Sequence, residues 1–426
     1  MPERVAVIGV GYVGLPLAVC FAEHYETLGF DINCERIAML QENIDLTGEV
    51  ASEVLRNRQT TGKLSFSSDE VCLTNCDVYI ITVPTPVNSI FEPDLSLVCS
   101  AIRTIATYLS PDNLVILEST VYPGYTEEVM VPLIEELTGF VVGSEIAVGY
   151  SPERINPGDR EHNFGTIDKV VSGFTGKCLE RVSSLYSSVL EATVHEASSM
   201  SVAEAAKCLE NTQRDINVAL MNEIAQICDL LKISVSDVIE MASTKWNFLR
   251  FEPGLVGGHC IGVDPYYLTF KARQLGFDSK TILAGRSVNN EMPRFIAAKA
   301  TRDVGLYEPG KVLVMGAAFK ENCPDIRNSL SWNLVGVLSD SGHSVKICDS
   351  LVAPDSLHAV YGDKVWRGSE FDLKEMLPEL DLIIVAVPHD CYVVLLNEIL
   401  ESAQFTVPIF EVKKRLSASY EFLFGL

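Results

Sequence analysis

Short apolar runs alternate with helix-like periods through the first half of the chain. The run RVAVIG and the segments TLGFD, CDVYIITVPTP, NLVILEST and EIAVGYSPE have the length and β-branched composition of buried parallel strands. A helix is expected directly after the first run, from Leu15 to about Tyr25. Strands that alternate with helices in this way predict a doubly wound parallel sheet of the α/β class.

The pattern changes to a single long helical period in the middle of the chain. From about Ser199, the segment SVAEAAKCLENTQRDINVALMNEIAQICDLL contains no glycine and no proline. A helix of this length can join two domains, and its many apolar positions predict packing on both sides. Such a helical midsection can also form the interface of a homodimer or a higher homo-oligomer.

The last third of the chain partly repeats the order of the first. After Pro309, the strand-like segments KVLVMGAAFK, HSVKICDS and LDLIIVAVPHD follow one another, and the second ends in Asp349. We therefore predict two Rossmann-like, doubly wound parallel-sheet domains joined by a long helix and a helical middle domain. The predicted domains are residues 1–198, 199–305 and 306–426.

Composition excludes several classes of partner. The 426-residue chain has a formal net charge of −24, which opposes nucleic-acid binding because such binding needs a basic surface. No run of about twenty uncharged apolar residues predicts insertion into a membrane. The start, MPERVAVIG, has no cleavage site of a signal peptide, so we expect a cytoplasmic protein.

The glycines of GVGYVG lie where the first strand gives way to the first helix. Glycines at this spacing make a tight turn, admit a pyrophosphate and let the helix approach the sheet. Asp31 closes the next strand, where a carboxylate accepts from ribose hydroxyls and repels the 2′-phosphate of NADP, so we expect NAD. The alternative for Asp31 is a solvated turn residue. Arg36 is expected to be a solvated helix residue, although it could also contact the adenosine part of the cofactor and weaken the preference for NAD over NADP.

One cysteine has unusual surroundings. The twelve cysteines are expected to be reduced thiols, and neither Cys72 and Cys76 nor His259 and Cys260 have partners at metal-ligand spacing. Cys260 lies in GGHCIGVDP, a glycine-flanked turn that leaves a thiol accessible. A thiolate is a strong nucleophile whose thioester hydrolyses readily, which suits oxidation of an aldehyde to an acid. From these residues alone, a nucleophile and a buried structural cysteine remain alternatives.

Two further pairs of polar residues are candidates for a site. Lys207 and Asn211 are four residues apart, so on a helix they occupy one face. A solvated lysine beside Glu210 is the alternative. Lys320 and Arg327 flank an acidic, proline-containing turn in a domain that lacks a second Gly-x-Gly-x-x-Gly, so this domain is not expected to bind a dinucleotide in the same manner. Here the alternative is two surface charges neutralised by nearby acidic residues, namely Glu321 and Asp325.

Several motifs occur in a fixed order along nearly the whole chain. They are GVGYVG, the VPTP turn at Val83 to Pro86, Glu118-Ser119-Thr120 with Pro123-Gly124, the SPE turn at Ser151 to Glu153, Lys207 with Asn211, GGHC at Gly257 to Cys260, and FKENCPDIRNS from Phe319. In this order they resemble the UDP-glucose/GDP-mannose dehydrogenase family. The resemblance implies an NAD-dependent nucleotide-sugar 6-dehydrogenase that takes a C6 alcohol to a carboxylate and consumes two NAD.

The resemblance also assigns roles to the candidate residues. It implies that Cys260 forms a thiohemiacetal and then a thioester, while Lys207 and Asn211 hold the oxyanion and a catalytic water. Asp264 and Thr120 match family positions implicated in positioning water and in acid–base steps.

Further positions complete the predicted site. Glu153 matches a family position near the nicotinamide and the reacting carbon. The resemblance also implies that Lys320 contacts the nucleotide-sugar and that Arg327 reaches the NAD pyrophosphate. The predicted cofactor-binding residues are Gly9, Gly11, Tyr12, Val13, Gly14, Asp31, Arg36, Thr85, Thr120 and Arg327. The predicted substrate-binding residues are Glu153, Arg154, Lys207, Asn211, Arg250, Gly257 and Lys320.

One departure from the family pattern bears on the substrate. Arg154-Ile155-Asn156-Pro157-Gly158 follows the SPE turn, where UDP-glucose enzymes typically have Phe-Leu and then an acidic residue. SPERINPG and KWNFLRFEPGLVGGHCIGVDPYYL instead resemble bacterial enzymes of the Vi-antigen and O-antigen pathways that oxidise UDP-N-acetylhexosamines. We therefore expect UDP-N-acetylglucosamine or UDP-N-acetylgalactosamine as substrate, in the synthesis of a surface polysaccharide such as capsule or O-antigen. UDP-N-acetylmannosamine, UDP-glucose and GDP-mannose remain alternatives.

Three cations could recognise such a substrate. Arg154, Lys245 and Arg250 could contact its anionic or acetamido parts, or each could be a solvated charge.

Two other functions compete with that of a nucleotide-sugar 6-dehydrogenase. A two-electron dehydrogenase of the hydroxyacid type would have no use for Cys260. A non-catalytic binding protein of the same fold is disfavoured by the intact set of candidate catalytic residues.

Overall fold

The computed structural model describes residues 3–155, 164–366, 376, 379–400, 406–417, 420 and 422–426. Residues 156–158, on which part of the substrate prediction rests, lie outside this set. The chain forms two compact units, which are Met1–Glu210 with Tyr266–Asp278 and Asn211–Pro265 with Ser279–Leu426. The three predicted domains, 1–198, 199–305 and 306–426, stay a prediction.

The first unit is built on one eight-stranded sheet. Its strands are β1 (Arg4–Ile8), β2 (Glu26–Phe30), β3 (Leu64–Ser67), β4 (Val78–Ile81), β5 (Leu114–Leu117), β6 (Ala147–Tyr150), β7 (Lys169–Gly173) and β8 (Val194–Glu196). They lie in the order β3-β2-β1-β4-β5-β6-β7-β8. The pairs from β3 to β6 are parallel, β7 runs antiparallel to β6, and β8 is parallel to β7.

Helices cover both faces of this sheet. They are α1 (Gly14–Phe21), α2 (Cys34–Gln41), α3 (Ser52–Thr60), α4 (Ser96–Ala106), α5 (Val131–Thr138) and α6 (Gly176–Ser187), with a 3₁₀ turn at Glu70–Leu73 and a π-helical turn at Thr126–Met130. Residues of β1 alternate between two apolar clusters, one shared with α1 and α6 and the other with α4 and α5. This alternation follows from the two-residue period of a strand and produces the predicted doubly wound layers.

The first helix is shorter than its apolar pattern predicted. It spans Gly14–Phe21, four residues less than the expected end at Tyr25. The amides of Glu23 and His24 bond to carbonyls three residues back, at 3.1 and 3.0 Å, so the helix tightens into a turn before β2 begins.

The second unit combines a helical segment with a five-stranded parallel sheet. The helices of the middle segment are α7 (Met200–Leu231), α8 (Val235–Ser243), α9 (Asp264–Gln274) and α10 (Lys280–Asp303). The first turns of α7 and the part of α9 from Tyr266 onward belong to the first unit. The later elements are β9 (Lys311–Met315), α11 (Ser331–Asp340), β10 (Ser344–Cys348), α12 (Pro354–Tyr361), a 3₁₀ turn at Gly362–Lys364, β11 (Leu382–Val385), α13 (Asp390–Leu400), β12 (Ile409–Glu411) and β13 (Leu423–Gly425). The strand order is β10-β9-β11-β12-β13.

These elements confirm the predicted fold class. Helix α7 runs without interruption for 32 residues, as its glycine-free and proline-free sequence predicted, and its first turns belong to the first unit. All four pairings of the second sheet are parallel, and apolar clusters cover both of its faces. None of the helices in the described part of the chain is long and apolar enough to cross a membrane.

Candidate active site

Five of the predicted site residues follow strands of the first sheet. Gly9 follows β1, Asp31 follows β2, Thr85 lies beyond β4, Thr120 beyond β5 and Glu153 beyond β6. Because these five strands are parallel, all five residues lie at the carboxyl edge of the sheet. The chain reverses its direction of winding between β1 and β4, and ligands of open α/β sheets bind at such a switch point.

The glycine turn after β1 has the geometry that a dinucleotide needs. Gly9 adopts a φ of +94°, which is the left-handed region. A Cβ on Gly14 would lie 1.9 Å from the carbonyl oxygen of Gly9, so only glycine lets α1 approach the turn. A Cβ on Gly11 would meet no atom within 4 Å, so this glycine is exposed and leaves space for a pyrophosphate. Tyr12 and Val13 complete the turn before α1 begins.

Asp31 is placed at this turn and Arg36 is held beside it. Asp31 accepts from the backbone N–H of Val10 at 3.0 Å through Oδ2 and from that of Asn33 at 2.9 Å through Oδ1. Each carboxylate oxygen keeps lone-pair capacity for a ribose hydroxyl. The guanidinium of Arg36 donates to the Val10 carbonyl at 3.1 Å and lies 2.8 Å from the buried carboxylate of Asp45. The charge of Arg36 is thus neutralised within the protein, and Arg36 is not a solvated helix residue.

Thr85 is fixed through its backbone rather than its side chain. Its carbonyl accepts a hydrogen bond of 2.7 Å from the hydroxyl of Tyr267, which is fully buried. Tyr267 belongs to α9 and therefore ties this helix to the turn after β4 within the first unit.

Lys207 and Glu153 meet in the first unit. Lys207 is 7 % exposed, and its ammonium donates to the backbone carbonyl of Glu153 at 2.5 Å. Glu210 lies 2.8 Å from the guanidinium of Arg154, which also donates to the Asp168 carbonyl at 2.9 Å. Lys207 is therefore buried, and the alternative of a solvated lysine beside Glu210 is wrong. Arg154 is paired rather than solvated, and its role toward the substrate stays a prediction.

Asn211 and Asp264 form a buried hydrogen-bonded pair in the second unit. The amide nitrogen of Asn211 donates to Oδ2 of Asp264 at 2.5 Å, and its amide oxygen accepts from Arg214 at 2.7 Å. Asn211 and Asp264 are each 2 % exposed. Since Asp264 begins α9, the pair joins α7 to the segment that carries Cys260.

Cys260 lies in a half-buried turn immediately before α9. Its carbonyl accepts from the backbone N–H groups of Val263 at 3.1 Å and Asp264 at 2.9 Å. The two glycines before it are required by close packing. A Cβ on Gly257 would lie 2.5 Å from the Asn328 carbonyl oxygen, and Gly258 has a φ of +84°. The turn is therefore held against the FKENCPDIRNS segment.

Arg327 of that segment and His259 of the Cys260 turn share the buried carboxylate of Asp325. Asp325 is 3 % exposed, its oxygens accept from the guanidinium of Arg327 at 2.7 to 3.1 Å, and Nε2 of His259 lies 3.3 Å away. Burial opposes ionisation, but the contacts with His259 and Arg327 hold the pKa of Asp325 well below its ordinary value. Arg327 is thus neutralised by Asp325, and its reach toward NAD stays a prediction.

Lys320 borders a shallow hollow of the second unit. The hollow measures about 280 Å³ including the solvent at its mouth, and its lining includes Phe319, Lys320, Ser331 and Lys413. Glu321 forms an ion pair of 2.6 Å with Lys413. The contact of Lys320 with the nucleotide-sugar stays a prediction.

The remaining predicted cations are exposed. Lys245 and Arg250 lie in the segment after α8, and Arg250 contacts Glu252 at 3.3 Å. Gly257, the other predicted substrate residue, is half-buried. The structure alone gives these three residues no further role.

Helix α7 is fixed to α10 by a buried polar network. Asp215 accepts from the guanidinium of Arg286 at 2.6 Å and from the amide of Asn289 at 2.7 Å. Asn222 bonds to Asn289 and also to both the N–H and the carbonyl of Gly254, at 2.8 and 3.0 Å. This network anchors the start of the loop that leads to Cys260.

Asp349, which follows β10, has a fully buried side chain and therefore offers no access to a ribose hydroxyl. Oδ2 of Asp349 accepts from the backbone N–H groups of Ala317 at 2.8 Å and Ala318 at 3.0 Å. Nε2 of His389 lies 3.0 Å from the same oxygen, and Nδ1 of His389 accepts from the Asn322 N–H at 2.9 Å. Since Nδ1 is an acceptor, Nε2 is the donor to Asp349.

The sequence did not single out a buried charge cluster beside Glu153. Lys169, at the start of β7, donates to Glu118 at 2.8 Å and lies 3.7 Å from Glu153, and the hydroxyl of Tyr186 also bonds to Glu118. Burial and the charge of Glu153 raise the pKa of Glu118 to about 7, although Lys169 and Tyr186 act in the opposite direction. The available signal was a lysine at the first position of the strand KVVSG. Among the described residues, no group of three or more His, Cys, Asp or Glu is arranged to hold a metal ion.

Comparison with known proteins identifies all three parts of the chain. Models of the UDP-glucose/GDP-mannose dehydrogenase family match it in sequence order, the NAD binding domain at residues 3–190, the central domain at 201–291 and the UDP binding domain at 313–415. The glycine turn and Asp31 fit the NAD that the first of these domains binds.

Individual proteins match over almost the whole chain. Protein CapL of Staphylococcus aureus is 47 % identical over 92 % of this chain and 91 % of its own length. A UDP-N-acetyl-D-glucosamine 6-dehydrogenase of Pseudomonas aeruginosa is 48 % identical over 83 % of this chain and 85 % of its own. The solved structure of a UDP-D-ManNAc dehydrogenase from Pyrococcus horikoshii is 30 % identical, covers 99 % of both chains and gives a TM-score of 0.86. The chain therefore belongs to the UDP-glucose/GDP-mannose dehydrogenase family and is an NAD-dependent oxidoreductase.

Proposed function

We propose that the protein oxidises the C6 alcohol of a UDP-N-acetylhexosamine, UDP-N-acetylglucosamine or UDP-N-acetylgalactosamine, to the uronic acid. The observation that carries the chemistry is the turn of Cys260, which is held by close glycine packing and leads directly into the buried pair of Asp264 and Asn211. The names of relatives 48 and 44 % identical, both UDP-N-acetyl-D-glucosamine 6-dehydrogenases, support the choice of sugar.

The reaction requires a nucleophile because two hydrides must leave one carbon. NAD, when bound, accepts one hydride at each oxidation. After the first oxidation, the thiolate of Cys260 adds to the aldehyde carbon and forms the C–S bond of a thiohemiacetal. The second oxidation converts this into a thioester, and water then attacks the carbonyl carbon, breaks the C–S bond and releases the carboxylate and the thiol. One alcohol, two NAD⁺ and one water give one carboxylate, two NADH and three protons.

The polar side chains act on the oxygen atoms of these species. We assign the ammonium of Lys207 and the amide of Asn211 to the developing oxyanion, because donors aimed at that charge stabilise both tetrahedral intermediates. Asp264 and Thr120 position the attacking water, and Glu153 accepts its proton in thioester hydrolysis. We assign Lys320 to the nucleotide-sugar and Arg327 to the NAD pyrophosphate, as the family resemblance implies.

Stoichiometry tests this function directly. Purified protein is given limiting UDP-N-acetylglucosamine, UDP-N-acetylgalactosamine, UDP-N-acetylmannosamine, UDP-glucose or GDP-mannose with excess NAD, and NADH absorbance is measured at completion. We expect two NADH per UDP-N-acetylglucosamine or UDP-N-acetylgalactosamine. One NADH per sugar would contradict the thioester step and support a two-electron dehydrogenase, whereas two NADH only from UDP-N-acetylmannosamine would reassign the sugar.

Replacement of the nucleophile separates the thioester mechanism from its rivals. Cys260→Ser is expected to abolish uronate formation, since an alkoxide is not available at neutral pH to form the ester as readily. Cys228→Ser, which changes a buried cysteine of α7, is the matched control and should keep turnover. Full activity of Cys260→Ser would exclude the covalent route.

The assembly and location of the protein are also proposals. Leu209, Leu220 and Ile227 of α7 are between 45 and 60 % exposed, and the last two are seven residues apart, so they share a face. An exposed apolar face of a long helix favours association, and we propose a homodimer formed through α7. A cytoplasmic location stays a prediction.

A further inference from the structure

A buried glutamate of α7 binds the turn that follows Thr120. Glu204 is fully buried, and its Oε2 accepts from the backbone N–H of Gly124 at 2.5 Å. Its Oε1 accepts from the backbone N–H of Thr126 at 2.9 Å and from the hydroxyl of Thr126 at 2.5 Å. Glu204 and Gly124 are 80 residues apart in sequence, so these bonds join two distant segments of the first unit.

The helix that begins at this turn needs an acceptor from elsewhere in the protein. Tyr125, the residue before the π-helical turn Thr126–Met130, makes no capping hydrogen bond with its side chain. The first N–H groups of a helix have no partner within the helix, and a carboxylate at that end is also favoured by the helix dipole. Glu204 supplies this carboxylate. A residue of α7 therefore caps a helical turn that is itself of an uncommon type, often found at functional sites.

The backbone around Thr120 is held on both sides. Before Thr120, the hydroxyl of Ser119 donates to the Val83 carbonyl at 2.7 Å. After Thr120, the Val121 carbonyl accepts from Sγ of Cys208, a residue of α7, at 3.5 Å. Among the described residues, no hydrogen bond fixes the half-buried side chain of Thr120 itself. The position of its hydroxyl therefore follows from the backbone of the turn.

Glu204 lies on the same face of α7 as Lys207. The two residues are three positions apart, so their side chains project from neighbouring turns of one helix face. Glu204 binds the turn after Thr120, and Lys207 donates to the Glu153 carbonyl. One face of α7 thus holds the two loops that follow β5 and β6.

Stability alone is a weak reason for a carboxylate at this position. In the part of the chain that the structure describes, no cation forms an ion pair with Glu204. Burial raises the pKa of Glu204, and the hydrogen bonds from Thr126 and Gly124 act in the opposite direction. A buried carboxylate without a cation is costly to desolvate, whereas a neutral cap avoids this cost. The three hydrogen bonds are better explained by the accurate placement of the turn.

We propose that Glu204 is a positioning residue for Thr120. It holds the Thr120 turn against the face of α7 that carries Lys207, so that the Thr120 hydroxyl and the Lys207 ammonium keep fixed positions relative to each other. Glu204 acts through the backbone of the turn and not on the reacting atoms. This inference rests on the proposed function in the roles given to Thr120 and Lys207.

A double-mutant cycle on turnover tests this role. Glu204→Gln keeps the volume of the side chain but replaces one acceptor oxygen by an N–H donor, so one donor of the turn loses its acceptor. The kcat for NADH formation should fall about tenfold to a hundredfold, because a small misplacement of a catalytic group has an effect of this size. In the Thr120→Val background, Glu204→Gln should lower kcat by less than about threefold, since the residue through which it acts is already absent.

Variants of Thr126 provide an independent test with a rescue. Thr126→Val removes the hydroxyl that donates to Glu204 and should lower kcat about threefold to tenfold, whereas Thr126→Ser keeps the hydroxyl and should stay within about twofold of wild type. Thr175→Val is the matched control, because Thr175 caps α6 by accepting from the Cys178 N–H at 3.2 Å. It removes a capping hydroxyl of the same unit and should leave kcat unchanged. If Glu204→Gln does not fold, the Thr126 variants decide alone.

The methyl group of Thr120 gives a readout that needs no turnover. The full-length protein is labelled with ¹³C at threonine methyl groups, and the Thr120 signal is assigned by its absence in Thr120→Val. This signal should shift in Glu204→Gln and keep its wild-type position in Thr175→Val. A kcat of Glu204→Gln within about twofold of wild type would overturn the inference, and so would an equal loss in the wild-type and Thr120→Val backgrounds.

The outcomes also separate this inference from the proposed function. A shifted Thr120 signal in a protein that forms no NADH from any of the nucleotide sugars would support the placement of Thr120 by Glu204 and reject the function. Two NADH per sugar, with an unshifted Thr120 signal and an unchanged kcat in Glu204→Gln, would support the function and reject the inference.

Discussion

Removal of the Asp215 carboxylate should loosen α7 from α10. Asp215 is fully buried, and its carboxylate accepts from Arg286 at 2.6 Å and from Asn289 at 2.7 Å. In Asp215→Ala the guanidinium of Arg286, which is 5 % exposed, loses its ion pair of 2.6 Å and keeps its contact of 2.6 Å with the side-chain oxygen of Asn290. The variant therefore leaves a buried positive charge without its carboxylate.

The expected loss of stability follows from this burial. Breaking a buried ion pair by removing one partner costs about 3–5 kcal/mol, because the other charge stays desolvated. Since about 1.4 kcal/mol corresponds to a factor of ten, local opening of α7 and α10 should become a hundredfold to a few thousandfold more frequent. Asp215→Ala also removes the hydrogen bond to Asn289 in the same network, so we expect a loss of stability near the upper end of this range.

Hydrogen–deuterium exchange of peptides from α7 and α10 measures this opening. Asp340→Ala, which removes an exposed aspartate at the end of α11, is the control and should exchange like wild type. The paired variant Asp215→Leu with Arg286→Met removes both charges and should exchange more slowly than Asp215→Ala. Unchanged exchange in Asp215→Ala, or a paired variant that is less protected than Asp215→Ala, would refute the reasoning.

Three further changes test other parts of the structure. Gly14→Ala places a Cβ 1.9 Å from a backbone oxygen and should weaken NAD binding by about tenfold or more in calorimetric titration, while Gly176→Ala, with nothing within 4 Å, should not. Tyr267→Phe removes the hydrogen bond to the Thr85 carbonyl, which contributes about 1 kcal/mol, and should lower the affinity for NAD about fivefold. An affinity equal to that of wild type would show that this bond does not support the cofactor turn. Leu220→Lys, at a position 49 % exposed, should convert a dimer to monomers in light scattering after gel filtration, and an unchanged mass would move the interface elsewhere.

The elements whose sequence pattern is local were predictable. The strand, glycine turn and Asp31 occupy about thirty consecutive residues, so spacing alone predicted a domain that binds NAD. Lys207 and Asn211 share one helix, and the helical period was sufficient to put them on one face. The long uninterrupted period of α7 was equally clear, because neither glycine nor proline breaks it.

Partners that are distant in sequence were not predictable in the same way. Lys169 and Glu118 are 51 residues apart and meet only because β7 runs antiparallel to β6, a direction that the strand pattern does not reveal. Arg154 was considered a substrate contact or a solvated charge, whereas it pairs with Glu210, 56 residues further along the chain. The end of α1 was placed too late because apolar residues continue into the turn that precedes β2.

The buried bond between His389 and Asp349 limits how the second sheet could acquire new specificity. Asp349 holds the same place after its strand as Asp31 does in the first sheet, but its Oδ2 already serves two backbone amides and an imidazole. Introducing three glycines into the turn after β9 would therefore not create a second dinucleotide site. Releasing Asp349 would require replacement of His389, and this would also free the amide of Asn322, two residues after Lys320. A change of nucleotide specificity through substitutions confined to the turn is therefore expected at Asp31 and not at Asp349.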